Sequence, residues 1–151
     1  MRRIFIIVVL ILSFVSAKAQ QVNQIANWKY TYSNPNFKVG DEVELIFTAN
    51  IEKGWSLYSN DFKADIGPQP TTFWFAENGS FEYDGKITPV APLKKLDKNW
   101  GFEVTYFKDK AEFRTRVRIV EHALDIFGGI KGQFCNDKKG VCIPFEQKFQ
   151  F

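Results

Sequence analysis

Two thiols carry the most evident chemistry in this chain. Cys135 and Cys142 are its only cysteines, separated by six residues within "GQFCNDKKGVCIPFEQKFQF", the last twenty residues, with Pro144 just after the second. Gln133-Phe134-Cys135 reads as the end of one β-strand, "NDKKGV" as a turn, and Cys142-Ile143 as the start of the next strand. In such a hairpin, opposed Cα atoms lie about 4.5 Å apart at a non-hydrogen-bonded position, and a disulfide needs roughly 4.4–6.8 Å. The spacing therefore permits a bond across the neck. A permanent staple there would close an eight-residue loop and restrict the unfolded chain by roughly 2.5 kcal/mol. A reversible pair would instead exchange with other thiols. A bond at an exposed turn is reachable, and Lys131, Lys138 and Lys139 bring positive charge that favours a thiolate. Spacing alone leaves both readings open.

Other chemistries fail on inventory. Two cysteines and His122, the only histidine, do not complete a tetrahedral zinc site without carboxylates, so no metal is expected, and no other cofactor. His122 adjoins the strand-like "RVRIV" and reads as structural rather than as the base of a cysteine nucleophile. No Ser-His-Asp arrangement or phosphate-binding loop stands out. The Asp and Glu residues read as solvated strand and turn positions.

The elements that must position the cysteines are strands. Trp28, Tyr30 and Tyr32 share one face of "WKYTYS", and Val43, Leu45, Phe47 and Ala49 share one face of "EVELIFTANI". In "EFRTRVRIV", Phe113, Thr115, Val117 and Ile119 alternate with Arg114, Arg116 and Arg118, the pattern of a strand buried on one face. "TTFWFAE", "EVTYF" and "EQKFQF" are further short runs of β-branched and aromatic residues. Turn signals separate them, including Asn34-Pro35-Asn36, Gly67-Pro68-Gln69-Pro70, Asn78-Gly79 and Lys139-Gly140. Only "VEHALDIFG" suggests a helical turn. Seven to nine strands without a repeat predict an all-β, immunoglobulin-like antiparallel β-sandwich, with a closed barrel as the alternative.

The N-terminus predicts export. "MRRIFIIVVLILSFVSAKAQ" has two arginines, a twelve-residue apolar run and the small-residue site Ala17-Lys18-Ala19, so residues 1–19 read as a signal peptide and residues 20–151 as one mature domain. The run is short for a bilayer span, and no membrane anchor is expected after cleavage. Without Arg2, Arg3 and Lys18 the chain carries 17 basic and 17 acidic residues, so its charge gives no reason to expect nucleic acid as a partner. It keeps 23 of its 25 aromatic residues, enough for a large core that does not depend on a staple.

Three segments together resemble the periplasmic N-terminal domain of the thiol:disulfide interchange protein DsbD. "CNDKKGVCIP" is similar to that family's cysteine hairpin, with a proline at the same offset after the second cysteine. "KGWSLYS" resembles its Gly-aromatic-x-Leu-Tyr stretch, carried by Gly54, Trp55, Leu57 and Tyr58. "LDKNWGFEVTYFKDKAEFRTRVRI" resembles its cap-loop region and the two strands that follow. The resemblance implies an immunoglobulin-like fold in the periplasm whose cysteine pair carries reducing equivalents. It implies that Cys142 forms the mixed disulfide with a partner, that Cys135 resolves it, and that Tyr58, with Trp55, lines the pair. It also implies a shielding cap loop at about residues 97–102. Asn99 precedes Trp100-Gly101 where the family often has a phenylalanine, which leaves Trp100 or Phe102 to provide the cover. The turn is one residue longer than in the best-known members.

DsbD continues into membrane and thioredoxin-like domains, whereas this sequence ends nine residues after Cys142. The resemblance thus implies thioredoxin-like or other exported thiol proteins as partners, and a separate membrane or soluble electron donor. The contrasting expectation is a non-redox binding module with a permanent disulfide that uses exposed tryptophans such as Trp55, Trp74 or Trp100.

Overall fold

A computed structural model describes residues 24–97 and 100–151. The signal peptide assigned to residues 1–19 lies outside these residues, as does Asn99. The strands are β1 (Ala26–Tyr32), β2 (Glu42–Ile51), β3 (Ser56–Tyr58), β4 (Thr72–Phe75), β5 (Phe81–Tyr83), β6 (Thr88–Pro89), β7 (Leu93–Asp97), β8 (Phe102–Lys108), β9 (Lys110–Ile119), β10 (Phe127–Asn136) and β11 (Val141–Gln150). The described residues thus form eleven strands rather than seven to nine. The surplus comes from short pieces such as β3, β5 and β6, whose two or three residues are too few to show a periodicity.

Two antiparallel sheets form an immunoglobulin-like sandwich rather than a closed barrel. The first has the order β1-β2-β9-β5, with β6 also on β9; the second has the order β11-β10-β3-β8-β7, with β4 also on β10. The alternating runs bury the faces their pattern predicts. Val43, Leu45, Phe47 and Ala49 on β2 are buried, as are Phe113, Thr115, Val117 and Ile119 on β9. Their outward neighbours pair across the strands, Arg114 with Glu44 and Arg118 with Glu42, and Arg114 also pairs along its own strand with Glu112.

Aromatic rings from the two sheets interlock between these faces. Phe47 of β2 lies 4.9 Å from Phe149 of β11, and Phe113 of β9 lies 5.1 Å from both Phe73 of β4 and Phe107 of β8. These separations and their edge-on tilts are the geometry aromatic rings prefer, worth about 0.5–1.5 kcal/mol per pair beyond area burial.

The helical turn suggested for "VEHALDIFG" does not form. Residues 120–126 make a bend instead. Ile126 is fully buried, and its carbonyl accepts a hydrogen bond from the Phe151 N–H at 3.0 Å. The amides of Val120 and Glu121 are taken by the Ser80 carbonyl. Long-range pairing thus holds the segment open. Asn78-Gly79-Ser80, which has the form of a glycosylation sequon, is a turn in which Asn78 Oδ1 accepts from the Ser80 N–H and hydroxyl.

The second sheet is covered on its outer face as well. Strand alternation sends Leu57, Phe107 and Phe134 into the main core. It sends Tyr58, Val104, Tyr106 and Cys135 to the opposite side, where they form a separate small cluster capped by Phe62 and Phe102. This explains why residues 104–107 are all buried, as a strand with both faces covered must be.

Candidate functional site

β10 and β11 pair over ten residues, and their register sets Cys135 directly opposite Cys142, with Asn136 opposite Val141. The turn is therefore the four residues Asp137 to Gly140, tighter than the six-residue "NDKKGV". Gly140 closes it at φ +61°, a conformation that costs glycine little. Asn136 secures the turn, its carbonyl and side-chain oxygens both accepting from the Lys139 N–H. The two cysteines form a disulfide with an S–S distance of 2.02 Å and Cα atoms 4.1 Å apart.

The two sulfur-bearing residues live in different surroundings. Cys135 is on the inner strand β10, flanked by β3 as well as β11, and only 2% of it is exposed. Its carbonyl accepts a hydrogen bond from Ser56 Oγ at 3.2 Å. Cys142 is on the edge strand β11 and is exposed.

The disulfide lies in a cleft of about 580 Å³, whose walls include Tyr58, Lys95, Leu96, Asp97, Trp100 and Asp137. Tyr58 is placed there because β3 pairs with β10 on one side and with β8 on the other. Its hydroxyl donates to Asp97 Oδ2 at 3.4 Å. Burial, and then the Asp97 and Asp137 carboxylates, push its phenol up to about 12.

One wall comes from the excursion between β3 and β4. The Thr71 N–H donates to the Ser59 carbonyl at 3.0 Å and the Thr71 hydroxyl donates to the Tyr58 carbonyl at 2.5 Å, closing the neck of a loop that spans residues 59–71. Gly67 of this loop has φ +108°, and a Cβ there would come within 2.7 Å of the Trp100 ring. The indole therefore rests against bare backbone, 48% exposed.

Cys135, Cys142, Tyr58 and Trp100 thus share one cleft, and Phe102 packs on the cluster beneath it that contains Cys135. Trp55 is placed elsewhere. Two residues before Leu57 on the same face, it packs against the main core and is not among the residues lining the cleft. His122 is far from the cysteines. It lies in the bend before Phe127, and roughly 26 Å of strand separates Phe127 from Cys135 at 3.3 Å per residue.

Lys95 and Asp137 escaped the sequence reading, and Asp97 entered it only as the start of the cap loop. The only signal was the period-two alternation of "LKKLD", which puts Lys95 and Asp97 on one face. Nothing local reveals that this face meets the cysteine turn. Among the described residues no cluster of His, Cys, Asp and Glu is arranged to hold a metal ion.

Comparison with known proteins bears on this geometry. A family model described as "Thiol:disulfide interchange protein DsbD, N-terminal" matches residues 21–151. No curated protein matches the chain. Among solved structures, the N-terminal periplasmic domain of ScsB from Proteus mirabilis aligns with a TM-score of 0.59 at 13% identity, covering 87% of this chain and 47% of that one. The chain thus spans about half the length of that relative. The DsbD N-terminal domain of Neisseria meningitidis in its reduced form aligns with a TM-score of 0.50 at 17% identity, covering 75% and 78% of the two chains. At these identities the structural likeness is one of fold. The family match covers most of the sequence, and the chain belongs to the family of the DsbD N-terminal domain.

Proposed function

We propose that this is an exported, periplasmic thiol–disulfide exchange domain, residues 20–151 after loss of a signal peptide, whose cysteine pair passes reducing equivalents to partner proteins through a mixed disulfide. The observation that carries the reading is the unequal exposure of the two cysteines. Cys142 faces solvent on an edge strand, whereas Cys135 is 2% exposed and is held beside it.

In the reduced protein the Cys142 thiolate attacks one sulfur of a partner disulfide. A Cys142–partner S–S bond forms, the partner's own S–S bond breaks, and the departing sulfur leaves as a thiolate that takes up a proton. The Cys135 thiolate then attacks the Cys142 sulfur. The intramolecular disulfide re-forms and the partner's second sulfur leaves and is protonated. Two electrons and two protons have then passed to the partner. Thioredoxin-like or other exported thiol proteins suit this chemistry as partners, and a membrane or soluble electron donor re-reduces the pair.

A structural role for the bond is poorly supported by its position. It joins two strands already paired over ten residues, and so adds little constraint that the ladder lacks. The test is the reduction potential of the Cys135–Cys142 pair. A value near or above about −230 mV is expected, and one well below about −300 mV would mark a permanent staple.

Trp100 and Phe102 serve in this reading as the cover. A dithiol in an oxidising compartment loses electrons to small oxidants unless it is shielded, and stiff aromatic rings shield well. The Trp100→Ala, Phe102→Ala double variant should remain folded, and its reduced form should be oxidised several-fold faster by small oxidants. Unchanged rates in the folded variant would remove the cover from the mechanism.

A further inference from the structure

Lys95 originates on β7, three strands away from β10 in the order of the second sheet, yet its side chain reaches the cysteine turn. Its Nζ lies 5.1 Å from the Tyr106 ring centroid and 5.8 Å from that of Tyr58, and it ends 3.2 Å from Asp137 Oδ2. Asp137 is the second residue after Cys135. Tyr58 and Tyr106 are the rings that pack with Cys135. The ammonium is therefore suspended over the aromatic floor on which the disulfide rests.

Asp97 and Asp137 both face the cleft, and Lys95 is the one cation among the described residues that line it. Lys108, 5.5 Å from the Tyr106 ring, does not line it, and Lys138 and Lys139 are exposed on the turn. The two carboxylates already hold back ionisation of the Tyr58 phenol. A thiolate forming on either cysteine would meet the same repulsion, and the one nearby ammonium would offset it.

We propose that Lys95 is the positioning residue that sets the thiolate character of the pair, bound to Asp137 while the cysteines are joined and turned to the thiolate once they are reduced. The idea rests on the exchange reading above. The Asp137 side chain is 63% exposed and that of Lys95 26%, and ion pairs near the surface are weak and readily exchanged. A thiolate on Cys135, packed with Tyr58 and Tyr106, is less well hydrated than Asp137, so it competes well for the ammonium.

The sign of the effect follows directly. Lys95 stabilises the thiolate, which exists only in the reduced form, so removing it raises the thiol pKa and shifts the equilibrium toward the disulfide. The test titrates the thiolate absorbance of the reduced protein with pH and equilibrates the pair with glutathione. Lys95→Met should raise the pKa of the titrating thiol by about one unit. At a pH above the raised pKa it should also shift the equilibrium about tenfold toward the disulfide, or ~30 mV. Lys95→Arg should restore both values. Lys94→Met, which removes a neighbouring lysine paired with Glu103 at 3.2 Å on the exposed side, should change neither. An unchanged pKa in Lys95→Met, or an equal shift in Lys94→Met, overturns the proposal. If Lys95→Met does not fold, Asp137→Asn tests the same point from the other side, because releasing the ammonium and removing a carboxylate should lower the thiol pKa. No lowering overturns the proposal. A wild-type pair that glutathione cannot reduce would sink the exchange reading while leaving the pKa comparison intact, so the two failures are distinguishable.

Discussion

Cys142→Ala should abolish disulfide exchange with partner proteins, whereas Cys135→Ala should accumulate as a covalent complex. The reason is access. An incoming disulfide must approach its attacking thiolate in line, and Cys142 is exposed to allow this, while Cys135 is 2% exposed in the cluster it forms with Tyr58, Val104 and Tyr106. With Cys135 gone, nothing attacks the Cys142 mixed disulfide from within, and the complex persists. With Cys142 gone, the remaining thiol is buried. Mass spectrometry after exposure to glutathione disulfide gives a direct readout, with rapid adduct formation expected for Cys135→Ala and almost none for Cys142→Ala. Pull-downs from periplasmic extract under non-reducing conditions should show the same asymmetry with proteins. Equal trapping by both variants, or by neither, would overturn the assignment of roles.

The largest loss of stability is expected at Phe47→Ala, at about 3–5 kcal/mol. Phe47 is fully buried on β2, and its ring lies 5.2 Å from Phe73, 4.9 Å from Phe149 and 5.2 Å from Phe151, with Tyr30 at 5.9 Å and Phe75 at 6.3 Å. It therefore joins the two sheets at a point where five rings meet. Truncation removes its buried area and leaves a cavity among stiff neighbours that cannot collapse to fill it. Against a total of about 5–15 kcal/mol for a domain, such a loss places the protein close to unfolding. Urea denaturation measures it, and a loss below about 1 kcal/mol would show that the interlock carries little of the stability. The same packing bears on the site. A fold held by this core should tolerate opening of the Cys135–Cys142 bond, as the proposed exchange cycle requires.

Alternation is a local property, and it was legible. The arginine-striped strand "EFRTRVRIV" alternates four inward residues with three arginines, and a pattern of that regularity admits one half-buried strand and little else. The cysteine hairpin was legible for a similar reason, because strand, turn and strand are contiguous, and only the length of the turn moved, from six residues to four. The short strands were not legible. β3 and β5 exist because long neighbours, β8 and β10 in one case and β9 in the other, offer them backbone partners, and nothing in three residues announces that. "VEHALDIFG" suggests a helical turn when read alone because the partners that hold residues 120–126 open, Ser80 and Phe151, are distant in sequence.

The divided fates of Trp55 and Tyr58 show the boundary at the site itself. Both lie in "KGWSLYS", and the resemblance assigned both to the lining of the pair, yet a strand sends residues three apart to opposite faces. Trp55 goes to the main core and Tyr58 to the cleft. Sequence alone determined that this chain builds strands, that an aromatic core is available to bury, and that two cysteines can meet across a turn. Those properties depend on side-chain period, composition and short-range spacing. Only the tertiary structure decided that one cysteine is buried and the other exposed, that a glycine 33 residues before Trp100 makes its seat, and that Lys95 hangs over the cysteine floor. Each of these depends on which strand lies beside which, and that ordering comes from packing two sheets around one core.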